Sequence, residues 1–332
     1  MKLIESSVEF LKQEDGLDGM KKHIESCGRT CYKSEEKIKE GSAEKFVNAM
    51  IKSHHGAMLE HGTVYLAMPM ETIIPIEANG WGKYYKNPYS KSGIICNVNG
   101  EQRVAAITNY RVLVENGWLD DLQYICEPTE YHEKRYTLRI VCDRGVTHEL
   151  VRHRTFSFAQ ESSRYCNYGD DKKFGKELTF IMPSWFDKEE AITIYNPFIK
   201  LTEPQQHSVI NMIIDGNYAG EMSDDEKVNV ERVRNEIMMM YDMIMSERIY
   251  MHLIENGYQP QQARHVLPTM IKSEICMTGF ASDWRFFFDL RLFGKTGQPH
   301  PDMLRIAQLA KEEFEKNGVW DDIMSHKSKF DE

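Results

Sequence analysis

Residues 152–165, RHRTFSFAQESSRY, hold the side chains with the clearest chemical potential in this chain. An RHR triplet runs from Arg152 to Arg154, and serines, Gln160 and Arg164 follow it. Guanidinium groups bind phosphate oxygens in pairs, whereas hydroxyl and amide groups suit a sugar or the edge of a base. Three consecutive residues of a helix point over an arc of roughly 200°, so they cannot all hold one phosphate. At the end of a helix the cluster could contact two phosphates, as in a diphosphate cofactor.

A purely structural role for this cluster is equally consistent with its residue types. Glu149 and Glu161 lie close by in sequence, and either could pair with the arginines in a solvated salt bridge. Nothing in the spacing distinguishes such pairing from ligand binding. Both interpretations stay open on the residue types alone.

Two other groups of residues resemble metal ligands only superficially. His23, Cys27 and Cys31 are spaced by four and would share one face of a helix, but no fourth ligand lies nearby, and cysteine packs well as a small apolar side chain. The segment HHGAMLEH at 54–61 fits no zinc-binding pattern. We therefore expect no metal site. The first group is predicted to pack inward, and the second to have a structural or cofactor-contacting role.

Composition excludes several broad classes of protein. The chain has 51 acidic and 41 basic side chains and a formal net charge of −10, which argues against a surface that binds nucleic acid throughout. No stretch approaches the roughly 20 apolar residues of a membrane span. The seven cysteines include no CxxC pair, and the motifs GxGxxG, GxxxxGKS/T, GxSxG and HExxH are absent. We expect a cytoplasmic protein with free thiols that binds neither membranes nor nucleic acid.

The elements around the cluster are expected to place it at the end of a helix. A strand is predicted over Tyr136–Asp143, and the helical run THELVRHR follows at 147–154. Ser223 and Glu226 form a capping box at the start of a long helix, whose methionine-rich face suits a core or a subunit interface. Helices dominate and strands are a minority, which predicts an α+β fold.

The whole chain, 1–332, is predicted to be one domain that carries an insertion. A helix is predicted from Ser42 and a strand over Gly62–Met70. The segment 70–135 is rich in turn residues and aromatics, and it is predicted to form an insertion with its own small structure. The closing SHKSKFDE is predicted to be a polar tail.

The stretch at 152–165 resembles the signature of the flavin-dependent thymidylate synthases, in which an RHR triplet precedes a serine and an Arg-Tyr pair. Further segments resemble the family in the same order: CGRTCYKS at 27–34, SHHGAMLEH at 53–61, THELVRHR at 147–154, QARHVLP at 262–268 and then FFFDLR. The resemblance covers most of the chain outside 70–135. It implies the family's fold, an antiparallel sheet with long helices.

The resemblance also implies an activity, the reductive methylation of dUMP to dTMP. Methylenetetrahydrofolate would give the carbon, NADPH the hydride, and FAD would carry that hydride, with no need for a protein nucleophile. The family works as a homotetramer with its ligand sites between subunits. The residues implied for FAD are His55, Ala57, Glu60, Arg152, His153, Arg154, Thr155 and Gln160. Those implied for dUMP are Glu149, Gln160, Glu161, Ser162, Arg164, Arg264 and Arg291.

Three of these positions are candidates for a catalytic role. A guanidinium near the uracil carbonyl would stabilise the enolate-like charge that develops on the ring, and Arg291 or Arg164 is the candidate. Ser162 matches the position of a nucleophile once proposed for the family. No histidine lies near it at a telling spacing, so we expect Ser162 to position the substrate.

The chain departs from the family pattern in one segment that matters for flavin binding. Residues 280–282 read Phe-Ala-Ser where the family commonly has Asn-x-Arg, and Ala159 stands where Asn is frequent. Trp284, Arg285 or the insertion are the candidates to compensate. Three alternatives stay open: a nucleotide- and flavin-binding homologue with impaired catalysis; a less favoured nucleic-acid-binding module whose aromatics stack on bases; and an interaction protein whose insertion contacts a partner.

Overall fold

The computed structural model of this chain describes residues 1–69, 82–98, 101–215 and 223–330. The strands in these ranges are β1 (Lys2–Ile4), β2 (Ser7–Phe10), β3 (Thr63–Pro69), β4 (Lys91–Val98), β5 (Glu101–Asn109), β6 (Arg135–Asp143), β7 (Ser157–Gln160), β8 (Thr179–Ile181) and β9 (Lys272–Phe280). The strands predicted near residues 62–70 and 136–143 are therefore confirmed as β3 and β6, although Met70 lies outside the described residues.

Helices make up most of the regular structure. The α-helices are Gly16–Thr30, Ser42–Lys52, Gly56–Leu59, Gly82–Tyr85, Tyr110–Asn116, Arg144–Leu150, Asp171–Phe174, Lys188–Glu190, Asn196–Ile199, Glu203–Ile214, Asp224–Glu255, Pro260–Ala263, Ala281–Arg291, Pro301–Lys316 and Trp320–Ser325. Short 3₁₀ helices span Glu35–Lys37, Leu119–Tyr124 and Arg264–Val266, and Ala191–Tyr195 forms a π-helical turn. Among the helices of the described ranges, none is long and apolar enough to cross a bilayer.

The chain divides into two compact units. The first unit comprises Met1–Ser6, Cys142–Gly145 and Ser163–Lys272. The second unit comprises Ser7–Val141, Val146–Ser162 and Ser273–Glu332. Each unit has its own apolar core, so each is described separately below.

The first unit is built around the long helix Asp224–Glu255. The predicted capping box starts this helix: Ser223 Oγ accepts a hydrogen bond from Glu226 N at 3.3 Å, and Glu226 accepts one from Ser223 N at 2.8 Å. Met240 and Met243 are fully buried in the core of this unit, which confirms the core role predicted for the methionine-rich face. β1 and β8 form a short parallel pair in the same unit.

Antiparallel strand pairs dominate the second unit. One sheet has the order β2-β6-β9-β7, in which β2 pairs antiparallel with β6 and β7 with β9. A second sheet has the order β3-β5-β4 and is antiparallel throughout. Together with the helices, these sheets confirm the predicted α+β fold with an antiparallel sheet.

The helix Gly16–Thr30 packs His23 and Cys27 inward. Their exposed fractions are 5% and 0%, and Cys31 is half-buried next to the Cys27 cluster. His23 Nε2 lies 2.9 Å from Thr137 Oγ1, and burial, followed by two nearby arginines, lowers the pKa of this histidine to about 4. The inward packing predicted for this face is confirmed.

The described part of the segment 70–135 joins the core of the second unit. Tyr84, Val104 and Tyr110 lie in one apolar cluster with Met20 and Leu66, which come from outside the segment. Strand β3 pairs along its whole length with residues 103–109 of β5. Residues 70–81 and 99–100 lie outside the described ranges. The assignment of 70–135 as an insertion within a single domain stays a prediction.

Candidate functional site

The RHR triplet lies in a turn just after a helix ends. The helix Arg144–Leu150 closes with a hydrogen bond from His153 N to Leu150 O at 3.0 Å. Arg152 and Arg154 are exposed, whereas His153 is 8% exposed. The turn therefore points the two arginines outward and the histidine inward, and the predicted position at a helix end is confirmed.

Aromatic packing fixes this turn on the sheet. The Phe156 ring lies 4.8 Å from the Trp284 ring, centroid to centroid. A Cβ at Gly279 would lie 2.4 Å from Phe156 Cδ1, so only glycine lets the ring approach β9 this closely. The next residues form β7, whose Ser157 faces Thr278 of β9 in register.

His153 is held as a neutral hydrogen-bond acceptor. Its ring packs 5.2 Å from the Phe287 ring, and Arg291 Nε donates a hydrogen bond to its Nε2 at 3.2 Å. Burial, and then the nearby Arg291 charge, lowers the pKa of His153 to about 4. A protonated Nε2 could not accept this bond, so the geometry and the pKa agree.

Arg291 connects His153 to Glu149. Its Nη1 donates to Glu149 Oε2 at 2.8 Å while its Nε is engaged by His153. Within the described ranges its Nη2 makes no hydrogen bond, so the two N–H donors of this nitrogen remain available to a ligand. Two residues predicted for dUMP and one predicted for FAD are thus brought together.

A cavity of about 340 Å³ opens beside this turn. Its lining consists of Arg152, His153, Arg154, Thr155, Phe286, Leu290, Arg291 and Lys329. Among the described residues, the lining contains four cationic side chains, the neutral His153 and no carboxylate. Glu149 balances the charge of Arg291, whereas the other three cations make no ion pair in the described ranges. Like charges repel one another, and an anionic ligand relieves that repulsion.

The salt-bridge interpretation of the triplet does not hold for its two arginines. Neither Arg152 nor Arg154 pairs with a carboxylate anywhere in the described part of the chain, and Glu149 pairs with Arg291 instead. Structural ion pairs therefore do not hold these two arginines in the described ranges, and their binding of a ligand stays a prediction.

The QES part of the signature is held by β9 and its neighbours. Gln160 Nε2 donates to Thr147 Oγ1 at 2.9 Å and to Ser273 Oγ at 3.0 Å. Glu161 is 2% exposed, and its backbone N donates to Glu274 O at 2.7 Å. Backbone pairing continues at Ser162, whose N donates to a carbonyl of the CGRTCYKS segment at 3.0 Å. These bonds fix the backbone from which the side chains extend.

The HHGAMLEH segment lies outside the lining of this cavity. His55 and Ala57 are exposed at the helix Gly56–Leu59. Glu60 forms an ion pair with Arg111. None of the three predicted residues lines the cavity, and their contact with FAD stays a prediction.

Arg164 and Arg264 belong to the first unit. Arg164 is exposed, and its guanidinium carbon lies 5.4 Å from the Tyr165 ring centroid. Arg264 is half-buried at the start of the 3₁₀ helix Arg264–Val266. Their contact with dUMP stays a prediction.

The segment 280–282 receives a cation from the region predicted to be an insertion. Lys91 Nζ donates to Ser282 Oγ at 2.8 Å and lies 4.4 Å from the Phe280 ring centroid. Lys91 also pairs with Glu133, whose Oε1 accepts a hydrogen bond from Ser282 N at 2.9 Å. Lys91 thus brings a positive charge to the segment where the family arginine is absent.

The other two candidates to compensate for the missing Asn-x-Arg pattern, Trp284 and Arg285, make contacts away from residues 280–282. Trp284 is fully buried, and its Nε1 donates to Tyr136 O at 3.1 Å. Arg285 pairs with the buried Asp289 at 3.3 Å. Of the three candidates, the region predicted to be an insertion contacts the segment 280–282 through Lys91, and compensation for flavin binding stays a prediction.

Sequence reasoning missed three lining residues of the cavity. Phe286 and Leu290 are four residues apart on the helix that ends at Arg291, so helical spacing around a predicted ligand residue could have found them. Lys329 lies in a segment predicted to be only a polar tail, and no pattern in its sequence points to the cavity.

Comparison with known proteins adds an independent finding. The family model for "Thymidylate synthase complementing protein" matches residues 128–317. A flavin-dependent thymidylate synthase of Pyrococcus furiosus is 25% identical over 153 residues, 46% of this chain and 43% of the relative. One from Corynebacterium efficiens is 28% identical over 148 residues, 45% of each chain. Each alignment thus spans less than half of the curated relative.

Among solved structures, one match is the UMP/dUMP methylase PolB from Streptomyces cacaoi bound with 5-Br dUMP. The superposition covers 98% of this chain and 97% of PolB, with a TM-score of 0.40 and 15% sequence identity.

Proposed function

Because this chain belongs to the family of thymidylate synthase complementing proteins, we propose that it is a flavin-dependent thymidylate synthase. In this proposal it converts dUMP to dTMP by reductive methylation, with methylenetetrahydrofolate as the carbon donor and NADPH as the reductant. The observation that carries the proposal is the cavity beside the RHR turn. Arg152 and Arg154 of the family signature line this cavity and make no ion pair in the described ranges, which suits a ligand that carries phosphate.

The lining of the cavity fits the diphosphate of FAD. Arg152 and Arg154 reach the solvent side of the turn without a carboxylate partner in the described ranges, and guanidinium forks match phosphate oxygens. Thr155 adds a hydroxyl donor, and His153 fixes the turn from inside. When bound, FAD would supply the hydride relay between NADPH and the pyrimidine. His55, Ala57, Glu60 and Gln160 complete the proposed flavin set.

The dUMP site is proposed to use the QESSR part of the signature. Gln160, Glu161 and Ser162 extend from a backbone that β9 holds in place. Glu149, Arg164, Arg264 and Arg291 complete the proposed set. Arginines suit the phosphate of a nucleotide. The Nε2 of Gln160 donates to Thr147 and Ser273, so its Oε1 is the atom that we propose to accept from the edge of a base.

Arg291 is the residue we propose to stabilise charge on the substrate. Glu149 and neutral His153 hold its guanidinium from two sides, which leaves Nη2 free to donate. A preorganised donor of this kind stabilises negative charge at a carbonyl oxygen without reorganising during the reaction. Arg164 is the second candidate for this role, and Ser162 is proposed to position the nucleotide.

We propose that the chain is one domain with an insertion at 70–135, and that this segment supports flavin binding through Lys91.

We also propose that the protein forms a homotetramer. The long helix Asp224–Glu255 exposes Val228 and Ile249 and so offers apolar surface to a neighbouring subunit.

The proposal is tested by purifying the full chain, adding FAD, and following NADPH oxidation with and without dUMP. We expect a yellow protein that oxidises NADPH faster when dUMP is present. A chain that takes up no FAD would contradict the proposal. A chain that binds FAD and dUMP without turnover would instead be the impaired homologue, and the altered segment 280–282 is the feature that favours that alternative.

A further inference from the structure

The segment 326–330 folds back onto the helix Ala281–Arg291. The Phe330 ring stacks on the Phe286 ring with a centroid distance of 5.9 Å and an interplanar angle of 14°. Ser328 is 4% exposed, and its Oγ accepts a hydrogen bond from Phe330 N at 3.1 Å. The segment therefore contacts the helix through an aromatic side chain and has a hydrogen bond within its own turn.

Lys329 is positioned by the same aromatic side chain. Its Nζ lies 4.4 Å from the Phe286 ring centroid, within the range of a cation–π contact. Lys329 and Phe286 both line the cavity beside the RHR turn. The aromatic pair thus holds an ammonium group at the cavity that the signature arginines form.

Within the described ranges Lys329 makes no ion pair. By contrast, Lys311 and Lys316 of the helix Pro301–Lys316 pair with Glu315 and Glu313. Among the described residues no carboxylate lines the cavity, so Lys329 adds to the positive potential of this lining. Such a potential raises the affinity of the cavity for a multiply charged anion.

We infer that Lys329 is a binding residue for a diphosphate-bearing ligand in this cavity, and that stacking of Phe330 on Phe286 holds it there. The identity of the ligand as FAD rests on the proposed function. The inferred chemistry needs only a diphosphate group. Lys329 supplies a fourth basic side chain to the lining, from a segment outside the family match at 128–317.

The inference is tested by titrating the full flavin-free chain with FAD and, separately, with ADP as a diphosphate probe. Lys329→Ala is expected to raise the Kd for both ligands by roughly five- to tenfold, as for the loss of one partly exposed contact to a charged group. Lys329→Arg keeps the charge and is expected to bind nearly as the natural chain does. Added salt should bring the Kd of Lys329→Ala closer to that of the natural chain, because salt screens exposed charges.

Lys327→Ala is the matched control. This lysine is exposed, lies two residues earlier in the same segment, and does not line the cavity. Its Kd values should equal those of the natural chain. Phe330→Ala removes the stacking partner and should weaken binding in the same direction as Lys329→Ala. An unchanged Tm for each variant excludes a general loss of folding.

The possible outcomes separate this inference from the proposed function. Equal Kd values for Lys329→Ala and Lys327→Ala would overturn the inference and leave the proposed function intact. A natural chain that binds ADP but no FAD, with ADP weakened by Lys329→Ala, would support the inference and contradict the proposed function. Failure of the natural chain to bind either ligand would overturn both.

Discussion

Arg291 Nε donates a hydrogen bond to His153 Nε2 across 3.2 Å, between residues 138 positions apart in the chain. The same guanidinium binds Glu149 through Nη1 at 2.8 Å. His153 must stay neutral for this arrangement, because a protonated ring would place two cations in contact. The turn after the helix Arg144–Leu150 is thereby connected to the end of the helix Ala281–Arg291.

His153 should make stability depend on pH in the acidic range. Its pKa is lowered from 6.5 to about 4, so the unfolded chain takes up this proton before the folded chain does. The contribution of neutral His153 to the free energy of unfolding is complete above pH 6.5 and is lost as the pH falls toward 4. A shift of this size corresponds to about 3 kcal/mol in the free energy of unfolding.

Urea unfolding of His153→Gln across that pH range measures the effect. We expect the variant to lose less stability than the natural chain as the pH falls, since glutamine does not titrate. His265→Gln, at an exposed histidine, is the control and should follow the natural chain. Parallel pH curves for His153→Gln and the natural chain would show that the histidine carries no such linkage.

Substitutions in the RHR triplet should weaken FAD binding, whereas substitution of Arg164 should weaken dUMP binding. Arg152→Ala and Arg154→Ala each remove a guanidinium from the cavity, and we expect each to weaken FAD binding by roughly tenfold. Arg164→Ala should weaken dUMP binding while the protein stays yellow. Equilibrium titrations with each ligand measure both effects. Lys200→Ala, at an exposed residue, serves as the control. If all three arginine variants lose both ligands together, the division of the motif is wrong.

Lys91 and Glu133 both contact the segment 280–282, and their ion pair should stabilise the fold there. Burial raises the pKa of Glu133, but hydrogen bonds from Lys91 and Ser282 outweigh burial and hold this pKa below its ordinary value. Lys91→Met leaves the carboxylate without its cation, and we expect the free energy of unfolding at neutral pH to fall by about 1–3 kcal/mol. The double variant Lys91→Met with Glu133→Gln should recover part of this loss. Strictly additive effects in this cycle, measured by urea unfolding, would show that the two side chains do not interact.

Gly279 should be indispensable for the position of the RHR turn. A Cβ there would lie 2.4 Å from Phe156 Cδ1, so Gly279→Ala forces the ring away from β9. We expect a loss of about 1–3 kcal/mol in the free energy of unfolding and weaker FAD binding. Phe156→Leu in the same chain should restore part of both losses, since it removes the clashing atoms. If Gly279→Ala binds FAD normally, the turn does not depend on this packing.

Local signals in the sequence predicted the elements well. The capping box at Ser223 and Glu226 predicted the start of the long helix, because a cap depends only on residues three apart. Strand β6 followed from its apolar periodicity, whereas the helical run predicted at 147–154 was shifted, since the helix spans Arg144–Leu150 and ends before the RHR triplet. The position of the RHR triplet at a helix end was nevertheless predictable from apolar periodicity.

Contacts between distant parts of the chain were not predictable from one sequence. Lys91 and Ser282 are 191 residues apart, and no local pattern pairs them. Lys329 reaches the cavity only because Phe330 stacks on Phe286, a tertiary contact between two aromatics that look unremarkable in sequence. The pairing of Glu149 with Arg291, and not with the RHR arginines, is also visible only in the fold.

The most direct test of the proposed activity is the mass of the nucleotide product. The full chain is incubated with FAD, dUMP, methylenetetrahydrofolate and NADPH, and the nucleotide is analysed by mass spectrometry. We predict conversion to dTMP, a gain of one CH₂, that requires both NADPH and the folate and is strongly reduced in Arg291→Ala. Recovery of unchanged dUMP from a chain that has bound FAD and dUMP would contradict the account.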